Sequence, residues 1–535
     1  MTTVKSLQLP QHAPQATPPL APPTPEHVSP ARTLLGVVMC VLGSVVSTLD
    51  LQMTNPALSQ QIKGSLGFTA DDATWITVAY TSAELIIIPL GGWLTDAFSR
   101  RRYVSVSMAI FVCFSLACAH AWDLPSLIVF RTFLGLVSGV FTYSAFNLVL
   151  TQLPRAKQPI GFIMILITVG LPVPIGNFLG GWIDEHLGWQ CIYYLNMILR
   201  LLVIAGIRHW IDPQPMRLYK LKQVDWLGTM VLAISMICLV TVLERGNTEN
   251  WFDSEFIVLL SLISILFLAI FCWIELNQPR PLIELRILRQ RNFAFGNILN
   301  ATFGIMLTYT YSVEQYLGQI QGYNPVQISS ALIWGSLVNP LAGKILGQVE
   351  TRLVLGIGTS VFAISCFMNS RLDYYVGRDQ LILSQLVRAT TQAITGSAID
   401  YVATENIKKE QANDATAILN LIRTIAATVG SSGIGTLITK REQYHSNIIV
   451  DTVSVYNHPT QARLQQLSEF FTSKSGDPHA AQSQAVQSIA QTVRQQAYIM
   501  AYSDAFYFIG MAAILGAIFS IPFLTKIKKP ADIAK

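Results

Sequence analysis

Long apolar runs alternate with short polar connectors along almost the whole chain. Runs of about twenty residues, nearly free of charge, fall at 33–56, 73–94, 103–121, 126–150, 160–182, 189–208, 225–243, 255–275, 293–315, 327–347, 353–370, 380–402, 414–437 and 503–525. Each can cross the hydrocarbon core of a bilayer as a helix, so the pattern predicts an all-α polytopic membrane protein with fourteen spanning segments. Two features break the rhythm. Basic connectors near 209–224 and 276–292 isolate the seventh and eighth runs, giving six helices, an inserted pair and six more. The expected organisation is a tail over 1–31, a six-helix bundle over 32–210 and a linker with two inserted helices over 211–292. A second six-helix bundle over 293–525 and a tail over 526–535 complete it. The other break is 438–502, a polar stretch before the last run. Within it "AAQSQAVQSIAQTVRQQAYIM" has apolar residues at helical spacing. A helix is expected there, either docking a partner or packing as a cap over the protein's own outer face.

Of the 535 residues only 13% are charged, about half the share usual in soluble domains. A chain of soluble domains is thereby excluded. The net charge of +5 lies in short connectors, which argues for membrane topology rather than for nucleic acid as a partner. With the N-terminus inside, the inner connectors hold Arg100, Arg101, Arg102, Arg155, Lys157, Arg208 and Lys220 among others. The short outer connectors hold only Lys63, Arg245, Arg371 and Arg378. That asymmetry predicts both termini in the cytoplasm. Residues 1–31 lack the basic start, apolar core and cleavage site of a signal peptide and read as a disordered cytoplasmic tail. The seven cysteines all fall in apolar runs with no close pair, and the histidines lack metal-ligand spacing, so neither a disulfide framework nor a metal site is expected. A membrane enzyme would cluster His, Asp or Cys at the membrane surface. A receptor or scaffold would need a folded soluble domain larger than 438–502.

Charges inside a bilayer are costly and face a cavity or a partner. Glu84, central in "DDATWITVAYTSAELIIIPLGGWL", is the first candidate for proton exchange, because low dielectric disfavours the charged form of a carboxylic acid. The competing reading fixes it to a neighbouring polar group. Asp50 precedes Asn55-Pro56, where the first helix should bend or end; it either faces a watery vestibule or caps an interface. Arg131 opens "RTFLGLVSG", in which Gly135 and Gly139 offer a small face for close helix approach. Arg200 is a potential counter-charge for Glu84. Arg388 lies between Gln385 and Gln392, and Glu314 lies near an outer helix end, where snorkelling to water is the alternative. The fifth run, "TVGLPVPIGNFLGGWI", is rich enough in Gly and Pro to kink and to serve as a hinge.

Several motifs then align in order, and the chain resembles the major facilitator superfamily, specifically its fourteen-helix drug:proton antiporter branch, the EmrB/QacA-like proteins. "GWLTDAFSRR" matches the loop between helices two and three at Gly92, Leu94, Asp96, Arg100 and Arg101, with Ser99 in place of the usual Gly. "LD" at 49–50 with Asn55 resembles the helix-one signature, and Arg131 with Gly135 the helix-four motif. "GNFLGG", with Gly176, Gly180 and Gly181, resembles the antiporter motif, but Asn177 replaces its Pro. "QYLGQIQGYNP" resembles the exit of helix nine, with Glu314 where Pro is usual. "NLIRTIAATVG" matches a further motif at Asn420 and Arg423.

The resemblance implies two six-helix bundles rocking about a central site in the inner membrane. It implies export of amphipathic small molecules driven by the proton gradient with no cofactor, in some members beside a periplasmic adaptor and an outer-membrane channel. Glu84, Asp50 and Arg131 become proton-coupling candidates, and Arg200, Glu314 and Arg388 pocket candidates. Asp96 is expected to cap the next helix or to pair with an Arg across the bundle as a conformational switch. A dedicated exporter of one metabolite, such as a siderophore, is the alternative left open by Asn177 and Glu314.

Overall fold

The computed structural model describes residues 30–57, 62–154, 157–212, 215–338, 350–454 and 456–524. Apart from one-turn segments, the first bundle comprises α1 (Pro30–Ala57), α2 (Ala70–Phe98), α3 (Arg100–Ala119), α4 (Leu124–Gln152), α5 (Gln158–Gly170), α6 (Pro172–His186) and α7 (Gln190–Trp210). The inserted pair is α8 (Trp226–Arg245) and α9 (Glu255–Asn277). The second bundle comprises α10 (Arg291–Gln319), α11 (Pro325–Val338), α12 (Thr351–Met368), α13 (Arg378–Thr404), α14 (Ala412–Thr452), α15 (His458–Ser475) and α16 (Pro478–Ser520). No strand occurs among the described residues. Every expected spanning run falls on a helix, the fifth on the pair α5–α6 that breaks at Leu171 before Pro172. The tenth run is described only to Val338; its remainder, most of the two tails and Arg155 lie outside the described residues. Among the described residues, eleven helical stretches are long and apolar enough to span a membrane. The runs on α10 and α13 fall short because they bury polar side chains such as Asn300, Gln385 and Gln392.

Local sequence sets the helix ends. The Thr69 hydroxyl accepts from the Asp72 amide at 3.2 Å while the Asp72 carboxylate accepts from the Thr69 amide at 3.0 Å, a reciprocal cap that starts α2. Asp123 and Ser126 start α4 in the same way. Between α2 and α3 a single residue, Ser99, turns the chain with φ 71°. That conformation is strained for any residue with a Cβ, which accounts for the family's preference for Gly at this place.

Small residues set the closest packing. A Cβ on Gly135 would lie 2.3 Å from the Tyr80 carbonyl oxygen, and one on Gly139 would lie 2.7 Å from Ile87, so α2 and α4 touch nearly backbone to backbone. Gly176 and Gly180 do the same for α6 against α1, at Gln52 and Met53. The inserted helices α8 and α9 hold each other through Ser235 and Ser264, whose hydroxyls donate to one another's carbonyl oxygens at 2.9 and 3.1 Å. Helix α9 otherwise turns Leu259, Leu262, Ile265 and Trp273 outward, as a lipid-facing helix does.

The two bundles meet through α6–α11, α5–α13 and α2–α14. One end of the molecule carries the α2–α3 turn with Arg100–Arg102; the other carries the end of α14 and the start of α16. We refer to these as the basic end and the capped end. Most of the polar stretch 438–502 is helical. Helix α14 runs unbroken for 41 residues and α16 for 43, about 62 and 65 Å at 1.5 Å per residue, and α15 packs back along α16.

Candidate functional site

Asp50 lies seven residues before the capped end of α1 and is fully buried. Arg131 of α4 donates to its Oδ2 at 3.3 Å, and Asn196 of α7 donates to its Oδ1 at 2.8 Å. The second Nη of Arg131 donates to the Tyr193 hydroxyl at 2.9 Å. Four groups from three helices thus converge within the first bundle, and two buried charges neutralise each other where neither could be left alone. Arg200 completes the surroundings. It donates to Ser47, one turn from Asp50, at 3.2 Å, and its guanidinium lies 3.2 Å from the centre of the Phe111 ring.

The expected meeting of Arg200 with Glu84 does not occur. Arg200 is turned toward α1 and α3, and it lies outside the central cavity. The reason is the aromatic pair Phe111 and Phe141, which together offer the cation a desolvated stacking site. Glu84 is half-buried midway along α2, with no ion pair or hydrogen bond to its carboxylate among the described residues. It does not line that cavity either.

The cavity itself lies between the bundles, with a volume of about 300 Å³. Thr48, Gln52 and Asn55 of α1, two and five residues from Asp50, form one wall; Phe303 and Glu314 of α10 and Arg388 of α13 form the opposite side. Glu314 is held in place from the other bundle, since Asn177 of α6 donates to its Oε1 at 2.8 Å. This contact keeps Glu314 inside the protein and removes the snorkelling alternative. Arg388 donates to Gln385 at 3.1 Å and to Gln392, with its guanidinium over the Tyr309 ring. Gly181, beside Asn177 on α6, packs against Pro325 at the start of α11, so the motif glycines serve both bundles.

At the basic end the bundles are joined again. Asn413, near the start of α14, accepts from Tyr143 at 3.1 Å and from Asn147 at 2.8 Å, and Arg100 donates to Asn147. Gly92 lets this contact form, because a Cβ there would lie 2.9 Å from the Tyr143 hydroxyl. Asp96 behaves otherwise than expected. It pairs at 2.6 Å with Lys220 of the connector after α7, not with an Arg across the bundle, and α3 starts without a side-chain cap. The connector folds along α2, with the Arg217 amide donating to the Ala97 carbonyl, and so delivers Lys220 to Asp96 first. Arg101 points away from the junction into a separate groove on the flank.

The Major Facilitator Superfamily profile matches residues 40–431, nearly three quarters of the chain. The chain belongs to the major facilitator superfamily. It is 24% identical over 489 residues to the multidrug export protein EmrB of Haemophilus influenzae, covering 90% of this chain and 94% of that one. It is also 24% identical to the fatty acid resistance protein FarB of Neisseria gonorrhoeae, over 91% of this chain and 95% of the other. Among solved structures, the proton:xylose symporter XylE superposes with a TM-score of 0.58 at 12% identity, covering 94% and 99% of the two chains; this likeness concerns the fold. The similarity to EmrB proteins over nine tenths of the chain fits the EmrB-like branch of the superfamily, with two six-helix bundles and an inserted pair.

One buried group of this transporter escaped the sequence reading. Asp400 of α13, fully buried, pairs with Arg423 of α14, which also donates to Asn300 of α10 at 2.7 Å. The arrangement repeats, in the second bundle and toward the basic end, what Asp50 and Arg131 make in the first bundle toward the capped end. Arg423 stacks behind Phe303, the cavity wall. The signal was there: an Asp inside the apolar "TGSAIDYVAT", together with an Arg in the next run, poses the same question as Asp50 and Arg131.

Proposed function

We propose that the chain is a proton-coupled exporter of small amphipathic molecules that works by alternating access. The observation that carries this reading is the cavity between the bundles, bridged toward the capped end by Asn177–Glu314 and toward the basic end by Asn413 with Tyr143 and Asn147. A carrier must break one set of such contacts while keeping the other. The cavity walls mix Leu166, Leu307 and Phe303 with Glu314 and Arg388, a lining suited to molecules with an apolar body and a polar group. The names of the relatives, multidrug export and fatty acid resistance, agree with such substrates.

Energy comes from the proton gradient, with no cofactor. Asp50, two residues from the cavity-lining Thr48 and Gln52, takes up the proton as Arg131 lets go of its carboxylate while keeping Tyr193, and releases it as the pair re-forms. The basic end faces the cytoplasm of the inner membrane, with both termini on that side; the excess of Lys and Arg in the connectors there supports this orientation. The helical cap then stands on the periplasmic side, where an adaptor protein leading to an outer-membrane channel would meet it.

Reconstituted full-length protein, an imposed pH gradient and a fluorescent lipophilic dye test this reading. Dye movement should follow the gradient in the wild-type protein and be lost in Asp50→Asn. Gradient-driven movement that persists at the wild-type rate in Asp50→Asn would remove Asp50 from the coupling.

A further inference from the structure

On the flank of the first bundle, at the basic end, a groove of about 870 Å³ runs between the start of α3 and the end of α7, with Met216 of the connector at its edge. Arg101, Arg102 and Arg208 border it. None of the three has an ion-pair or hydrogen-bond partner among the described residues. The nearest carboxylates along the chain, Asp96 and Asp212, are already engaged by Lys220 and Arg32. Three uncompensated cations thus surround one concavity.

Two hydroxyls point to a ligand independently of the charges. Ser105 lines the groove at 6% exposure, and its Oγ has no hydrogen-bond partner; the hydroxyl of Tyr103, also in the lining, has none either. A buried hydroxyl left without a partner is costly, and an acceptor entering the groove would satisfy both. Farther along α3 the wall becomes apolar and faces outward. Val106 and Ile110, one turn apart, are 56% and 37% exposed. Cations at the membrane surface, unpaired hydroxyls beside them and an apolar strip leading into the bilayer match a molecule with an anionic phosphate head and an acyl tail.

We propose that this groove binds one anionic phospholipid. Its phosphate lies among Arg101, Arg102 and Arg208 and accepts from Ser105 and Tyr103, while an acyl chain runs along Val106 and Ile110. Basic pockets between membrane helices recognise lipid head groups in this way. A free soluble anion would leave the apolar strip without a role.

The test uses full-length protein purified in detergent, titrated with phosphatidylglycerol or with phosphatidylcholine of the same chains, and bound lipid counted by native mass spectrometry. One phosphatidylglycerol should bind in preference to phosphatidylcholine. Each Arg→Gln replacement should weaken that preference about fivefold, and all three together roughly a hundredfold. Replacing Arg280, Arg286 and Arg289, which lie in another basic connector, should leave it intact. Should the triple variant fail to fold, Arg208→Gln and Ser105→Ala carry the test separately. The assignment falls if phosphatidylcholine binds equally, if the groove variants keep their preference, or if the control variant loses as much. Inorganic phosphate that displaces phosphatidylglycerol at equal concentration would also overturn it, since the site would then read a free anion.

Discussion

Asn177 reaches from the first bundle to the second and donates to Glu314 at 2.8 Å. Both stand where the motifs of the resembled family carry proline, and in this chain these two departures touch. A hydrogen bond to a carboxylate contributes about 1.5–3 kcal/mol, enough to shift the opening of the capped end by a factor of ten or more. In Asn177→Ala the open population should rise. Spin labels at Glu185 on α6 and Gln327 on α11 should report longer distances. An unchanged distribution would mean that the pair closes nothing.

The Asp50–Arg131 pair should be more sensitive to the loss of one member than of both. Asp50→Asn leaves a fully buried guanidinium without counter-charge, a loss of about 3–5 kcal/mol when a buried pair is broken. Asp50→Asn with Arg131→Gln should recover part of it. Thermal unfolding of the single and double variants in the same detergent measures the difference. Asp400→Asn and Arg423→Gln should give the same pattern in the second bundle.

Asp96 and Lys220 are both solvent-accessible, at 43% and 23% side-chain exposure, so their attraction contributes at most about 1 kcal/mol and is screened by salt. Asp96→Asn and Lys220→Gln should therefore impair turnover alike, spare substrate affinity and converge on the wild type at high ionic strength. Asn413→Ala, which cuts the link between the bundles at the basic end, should reduce turnover at every ionic strength. Initial transport rates across a salt series would separate the two behaviours.

The turn at Ser99 stores strain that glycine would relieve. A residue held at such a φ costs about 1–3 kcal/mol, against about 0.5–1 kcal/mol for the added freedom of glycine when unfolded. Ser99→Gly should raise the melting temperature modestly. Gly180→Ala should lower it, because its Cβ would sit 2.3 Å from the Met53 carbonyl oxygen, whereas Gly356→Ala, with open space around it, should not.

Helix positions were legible because each span is marked by its own run of apolar residues, and the kink at Leu171 because Pro172 and Pro174 flag it locally. Packing at Gly135 and Gly139 was legible for the same reason, since residues four apart share one helix face. Contacts between distant segments were not. Asn177 and Glu314 were each marked as departures, but 137 positions separate them and nothing local joins them. The partner of Asp96 came from a connector that reads only as basic. Arg200 was offered to Glu84 on charge alone, while its actual neighbours are phenylalanines, which one-dimensional pairing of signs overlooks. Asp400 and Arg423 each stand in an apolar run, but nothing along the chain joins them, and only their pairing places the acid inside.

Helices α14 and α16 continue well past the length a bilayer of about 30 Å requires, without a break at the membrane surface. Such a rod behaves as a lever. Whatever angle the second bundle turns through, the tip of the cap sweeps an arc that grows with its distance from the pivot, and α15, lashed along α16, stiffens the arm. The state of the buried cavity is thereby written outside the membrane as a displacement, where a neighbouring molecule can be pushed by it or can hold it still.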